Sequence, residues 1–132
     1  MNKHSVVFFI VFLVAVMTTS CGNKRVDMLL LHVDSVANKN PGIALSMADS
    51  IMRADSADMS TSEIMRLRLL RGRAQNAAME PFKSDSIMRI TAEYFDNHGT
   101  DYESMSAYYI LGSVYRDLKD YPQALEYYHK AL

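Results

Sequence analysis

The 132-residue sequence has no tryptophan, a single cysteine, three prolines and five glycines, and its charges nearly balance at a net −1. Each scarcity removes a class of protein. One cysteine, Cys21, admits no intramolecular disulfide and no cysteine-based metal site. With few glycines and prolines and no sustained alternation of apolar and polar residues, little remains for strands and hairpin turns. An all-α chain is expected. The balanced charge lacks the concentrated basic field that displaces counterions from a phosphate backbone, so nucleic acid is not an expected partner. Ten methionines suit the helical reading, because their flexible side chains fill irregular gaps between helices.

What is present begins with an apolar run. After Lys3 and His4, residues Val6 to Met17 are uninterruptedly apolar. A membrane span needs about 20 such residues, so this shorter run reads as the hydrophobic region of a secretory signal. The stretch Thr18-Thr19-Ser20-Cys21-Gly22 then resembles a bacterial lipobox, with Thr18 where that motif usually has leucine. The resemblance implies a signal peptide over residues 1–20, lipidation of Cys21 and a short tether over 21–25. Two or three acyl chains would hold the protein durably at a membrane, anchored rather than embedded. The expected location is the cell envelope, and Gly22-Asn23-Lys24-Arg25, which carries no acidic run, favours the periplasmic side. Removal of Lys3 with the signal leaves 13 basic against 15 acidic residues, a net charge of −2 on a mature chain of single-domain size.

Capping chemistry and apolar residues at three- and four-residue spacing predict six helices. The first runs from about Val26 to Ala37 through Leu29, Leu30, Val33 and Val36. Asn40-Pro41 reads as a cap and a first-turn proline opening the second, through Ala44, Leu45, Ala48 and Ile51, with Arg53 to Met59 a polar linker. Ser60 and Glu63 form a capping box for the third, which reaches about Ala78 through Ile64, Leu67, Leu70 and Ala74. Ser84 or Asp85 caps the fourth, through Ile87, Ile90 and Tyr94, and Gly99 suits a left-handed end. Thr100 and Glu103 repeat the capping box before the fifth, and Asp120 caps the sixth with Pro122 in its first turn. Short loops and no intervening strand make these three antiparallel pairs.

The last pair carries the most specific pattern. Tyr108, Leu111, Gly112 and Tyr115 match the spacing W-x2-L-G-x2-Y with tyrosine for tryptophan, and Ala124, Tyr128 and Ala131 match A-x3-F-x2-A. This segment resembles a tetratricopeptide repeat, clearest over residues 105–132. Gly72 stands 40 residues before Gly112, and Ala44, Ser84 and Ala124 share that step, longer than the roughly 34 of the standard repeat. The resemblance implies an α-α superhelix of about three hairpins over residues 26–132, expected to be truncated at Leu132, where no polar capping helix follows. Signal, cysteine, degenerate pairs and a clear repeat together resemble tetratricopeptide lipoproteins of Bacteroidota type.

That resemblance implies a protein-binding scaffold rather than an enzyme. It also leaves two rivals: the sensory end of a larger transmembrane regulator, or a glycan-binding lipoprotein, for which the absence of tryptophan is unfavourable. No catalytic residues and no cofactor are expected. His32, His98 and His129 fall on three different pairs with no ligand-spaced Asp, Glu or Cys, so no metal is expected either. In such arrays the first helix of each pair lines a concave groove. Carried over from Gly72 and Gly112, this places Arg66, Arg73, Asn76, Tyr109, Ser113 and Arg116 toward a protein or peptide partner. Guanidinium groups there suit an acidic or C-terminal segment, while Arg68 and Arg71 turn away. The equivalent first-pair residues Leu29, Val33 and Val36 are apolar, which suggests a first helix buried as an N-terminal cap.

Overall fold

The computed structural model describes residues 24–132, so the expected signal peptide and Cys21 lie outside the described residues. Six α-helices, and no strand among the described residues, follow one another in three antiparallel pairs. They are α1 (24–37), α2 (Pro41–Asp55), α3 (Thr61–Ala77), α4 (Ser86–His98), α5 (Asp101–Asp117) and α6 (Tyr121–Lys130). No helix among them is long and apolar enough to cross a membrane.

Local chemistry sets a repeat of 40 residues. The hydroxyl of Ser60 accepts from the Glu63 amide and the Glu63 carboxylate accepts from the Ser60 amide; Thr100 and Glu103 make the same reciprocal pair at the start of α5. Each such cap is worth about 1 kcal/mol. Both helices are 17 residues long, and each is followed by a residue in the left-handed region, Met79 at φ 58° and Lys119 at φ 63°. Gly72 and Gly112 hold equivalent places within them. A Cβ at Gly72 would stand 2.9 Å from Met88 Sδ, and one at Gly112 would stand 2.7 Å from Tyr128 Cδ1. Glycine is what lets the second helix of each of these pairs approach so closely.

The core lies in two clusters. Val26, Leu30, Val33 and Ala37 of α1 pack with Ala44, Leu45, Ala48 and Ile51 of α2 and with Leu67 and Ala74 of α3. Leu69 on another side of α3 joins Met88, Ala92 and Phe95 of α4 and Ala107, Ile110, Leu111 and Val114 of α5. Helix α3 therefore contributes to both clusters and links the first pair to the third, as in a linear helical array.

Four sequence expectations are corrected. The segment Arg53–Met59 is not a plain linker: α2 continues to Asp55, a 3-10 turn covers Ser56–Asp58, and Met59 drops into the core. The buried stripe of α4 is Met88, Thr91, Ala92 and Phe95, leaving Ile87 and Ile90 exposed. A shift of one residue rotates a helical face by about 100°. Contact of Met88 with Gly72 sets this orientation, and the Thr91 hydroxyl is satisfied by donating to the Ile87 carbonyl at 2.7 Å. Gly99 is extended at φ −91° and ψ 173°; its small size matters instead, since a Cβ would meet the Phe95 carbonyl oxygen at 2.7 Å. Neither Asn40 nor Asp85 makes a side-chain cap; at α4 the Ser84 hydroxyl accepts from the Ser86 amide at 3.3 Å, while Asp85 accepts a hydrogen bond from the Tyr115 hydroxyl at 2.9 Å.

Candidate functional site

The first helices of the pairs, α1, α3 and α5, share one face. One part of it is a depression of about 610 Å³ whose walls include Asp27, Leu31 and Asp34 from α1, Arg66, Leu70 and Arg73 from α3, and Tyr102 and Glu103 from α5. Arg73 also borders a second hollow with Asn38, Asn76 and Tyr109, and Asn76 borders a third with Arg116. Arg73 borders the first two hollows and Asn76 the second and third, so the three adjoin along this face.

Five of the six residues placed there by repeat register, Arg66, Arg73, Asn76, Tyr109 and Arg116, line this face. Ser113 does not. It is fully buried, donates to the Tyr109 carbonyl and hydrogen-bonds the Tyr128 hydroxyl at 3.2 Å, so it fastens α5 to α6 and offers nothing to a partner. Arg68 and Arg71 border a different depression with α2 and α4, and Arg71 pairs with Asp49 at 2.6 Å. The basic cluster of α3 is thus divided between two faces of the helix.

Register fails for α1. His32 stands where α3 and α5 have glycine, yet it is exposed, and Val33 beside it is fully buried. An imidazole cannot occupy the close helix crossing that glycine permits, so α1 is rolled about its axis. Leu29 and Val36 pack on the core, and the groove wall is formed by Asp27, Leu31 and Asp34 instead. The first helix belongs to the groove rather than capping it.

Electrostatics also differ from an open cationic surface. Arg73 Nη1 lies 2.9 Å from Asp34 Oδ1, Arg66 Nε lies 3.3 Å from Glu103 Oε1, and Arg116 pairs with Asp117 at 2.8 Å while donating to Asn76 Oδ1. These guanidiniums are already engaged. Among the described residues no group of three or more His, Cys, Asp or Glu side chains converges as a metal site. His98 is stacked on Tyr94 with ring centroids 4.8 Å apart, and His32 and His129 are exposed on other pairs.

Behind the groove, tyrosines bind the last pair together. Tyr127 stacks between Tyr108 and Tyr115 at centroid distances of 6.0 and 5.4 Å, with Lys130 Nζ 4.7 Å above the Tyr127 ring. Burial, reinforced by the carboxylate of Asp96, pushes the Tyr108 hydroxyl up to about 12, and burial with Asp85 does the same for Tyr115. A pKa raised in the folded chain above its ordinary 10 contributes stability that is complete below pH 10 and lost as pH rises through 12. In an alkaline titration followed by tyrosinate absorbance, two of the eight tyrosines should ionise late and together with loss of helical signal. Ionisation of Tyr108 and Tyr115 near pH 10 with the fold intact would contradict this.

Residues 106–132 match the family model of the tetratricopeptide repeat. Comparison with curated proteins and with solved structures returns no match. The matched segment covers α5 from Ser106 onward and the whole of α6, including the glycine–tyrosine contact and the tyrosine stack. The described residues thus form an all-helical array of three hairpins, the last of which is similar to a tetratricopeptide repeat over residues 106–132.

Proposed function

We propose that this protein is a lipid-anchored binding module of the cell envelope, facing the periplasm, which holds a segment of another protein in the groove of α1, α3 and α5. The supporting observation is that residues from all three first helices border adjoining hollows, with Arg73 and Asn76 each shared between two of them. Tetratricopeptide repeats are in general protein-binding scaffolds rather than enzymes. Exposed apolar side chains on that face, Leu31 at 69% and Tyr102 at 59%, are what a bound segment would cover.

The test compares two faces of equal character. Leu31→Glu combined with Tyr102→Glu should leave the helical signal intact, because both side chains are exposed, and should reduce capture of a partner from solubilised envelope at least tenfold. Ile90→Glu, on α4 and exposed to a similar degree, should capture normally. Loss in the Ile90 variant with retention in the groove variant would move the function to the second helices.

A further inference from the structure

The hollow bordered by Asp27, Arg66, Arg73 and Tyr102 does not suit an acidic ligand. Its two arginines are held by Asp34 and Glu103, and the Glu103 carboxylate is fixed further by the Thr100 amide at 2.9 Å. A carboxylate arriving there would have to displace an internal one. What remains is Asp27, which borders the same depression and has no cation paired with it among the described residues. Two basic and three acidic side chains therefore line the hollow, leaving one carboxylate in excess beside the apolar surfaces of Leu31, Leu70 and Tyr102.

From this we infer that the groove takes a cationic, apolar segment, in which a Lys or Arg meets Asp27 and a neighbouring apolar side chain covers Leu31; the inference rests on the groove reading above. Spacing along α1 makes it specific. Asp27 and Leu31 are one turn apart, about 6 Å at 1.5 Å per residue. In an extended peptide running along the helix, side chains on one face recur every two residues, about 6.6 Å. The recognised element is an apolar residue separated by one position from a Lys or Arg. Asp34, half-exposed and just under one further turn along α1 from Leu31, is occupied by Arg73 and leaves Asp27 as the unpaired carboxylate of this wall among the described residues.

The experiment uses the full chain in detergent and two fluorescein-labelled extended peptides, identical except that one carries Leu-Ser-Lys and the other Leu-Ser-Glu. Binding by fluorescence anisotropy at low salt should favour the lysine peptide about fivefold to tenfold, a preference that shrinks with added salt. Asp27→Lys should cancel or reverse it. Equal or tighter binding of the glutamate peptide would overturn the charge inference while leaving the groove standing, provided that Leu31→Glu still weakens both. A lysine preference unchanged in Asp27→Lys would overturn the role given to Asp27. Binding of both peptides unaffected by Leu31→Glu, or no binding of either, would overturn the groove reading itself.

Discussion

Phe95→Ala should destabilise the folded chain by about 3–5 kcal/mol, a large share of the roughly 5–15 kcal/mol that holds a typical domain together. Phe95 is 2% exposed and sits where α4 meets the core formed by Leu69, Ala107, Ile110, Leu111 and Val114. Its loss leaves a cavity that two helices on either side cannot close without abandoning their other contacts. In a linear array each interface supports its neighbours, so pairs two and three should melt together. Ile90→Ala, five residues earlier on the same helix but half-exposed, should change stability by under about 1 kcal/mol. Chemical denaturation of both variants separates the observed α4 face from one led by Ile87 and Ile90. Equal destabilisation by the two would show that the face is misassigned.

Cys21→Ser should abolish incorporation of labelled fatty acid and release the protein from the membrane fraction. The expectation follows from the apolar run Val6 to Met17 and the small residues directly before the single cysteine. A hydroxyl cannot form the thioether that carries diacylglycerol, so the effect is all or none rather than graded. Equal labelling and equal membrane association of both forms would refute lipid anchoring at Cys21.

Local rules located the helices well where the chemistry was local. The two capping boxes, Ser60 with Glu63 and Thr100 with Glu103, involve groups three residues apart, and each is present as the pattern predicts. Gly72 and Gly112 likewise mark close helix contacts. The α4 face was ambiguous because two stripes overlap on it: Ile87, Ile90 and Tyr94 are more apolar by composition, yet Met88, Thr91 and Phe95 are buried. Thr91 reads as a surface residue until its hydroxyl is seen to donate back to the Ile87 carbonyl.

The site was visible in outline but not in its charges. Repeat register brings Arg66, Arg73, Asn76, Tyr109 and Arg116 to one face, whereas it misjudges Ser113, whose small size lets Tyr128 cover it. It misjudges α1 as well, because His32 replaces the glycine that sets the roll of α3 and α5. The ion pairs that neutralise the groove join Arg73 to Asp34 and Arg66 to Glu103 across 39 and 37 residues. Such partners depend on how neighbouring pairs stack, which no local pattern of charges reveals.

Site-specific photo-crosslinking in living cells tests the central claim most directly. A benzophenone side chain placed at Leu31 or Tyr102 reports what touches the groove of α1, α3 and α5, and one at Ile90 reports the face of the second helices. Both groove positions should crosslink to the same protein partner, and Ile90 should yield none of that product. Crosslinking to a partner at Ile90 with none at Leu31 and Tyr102 would contradict a binding groove formed by the first helices.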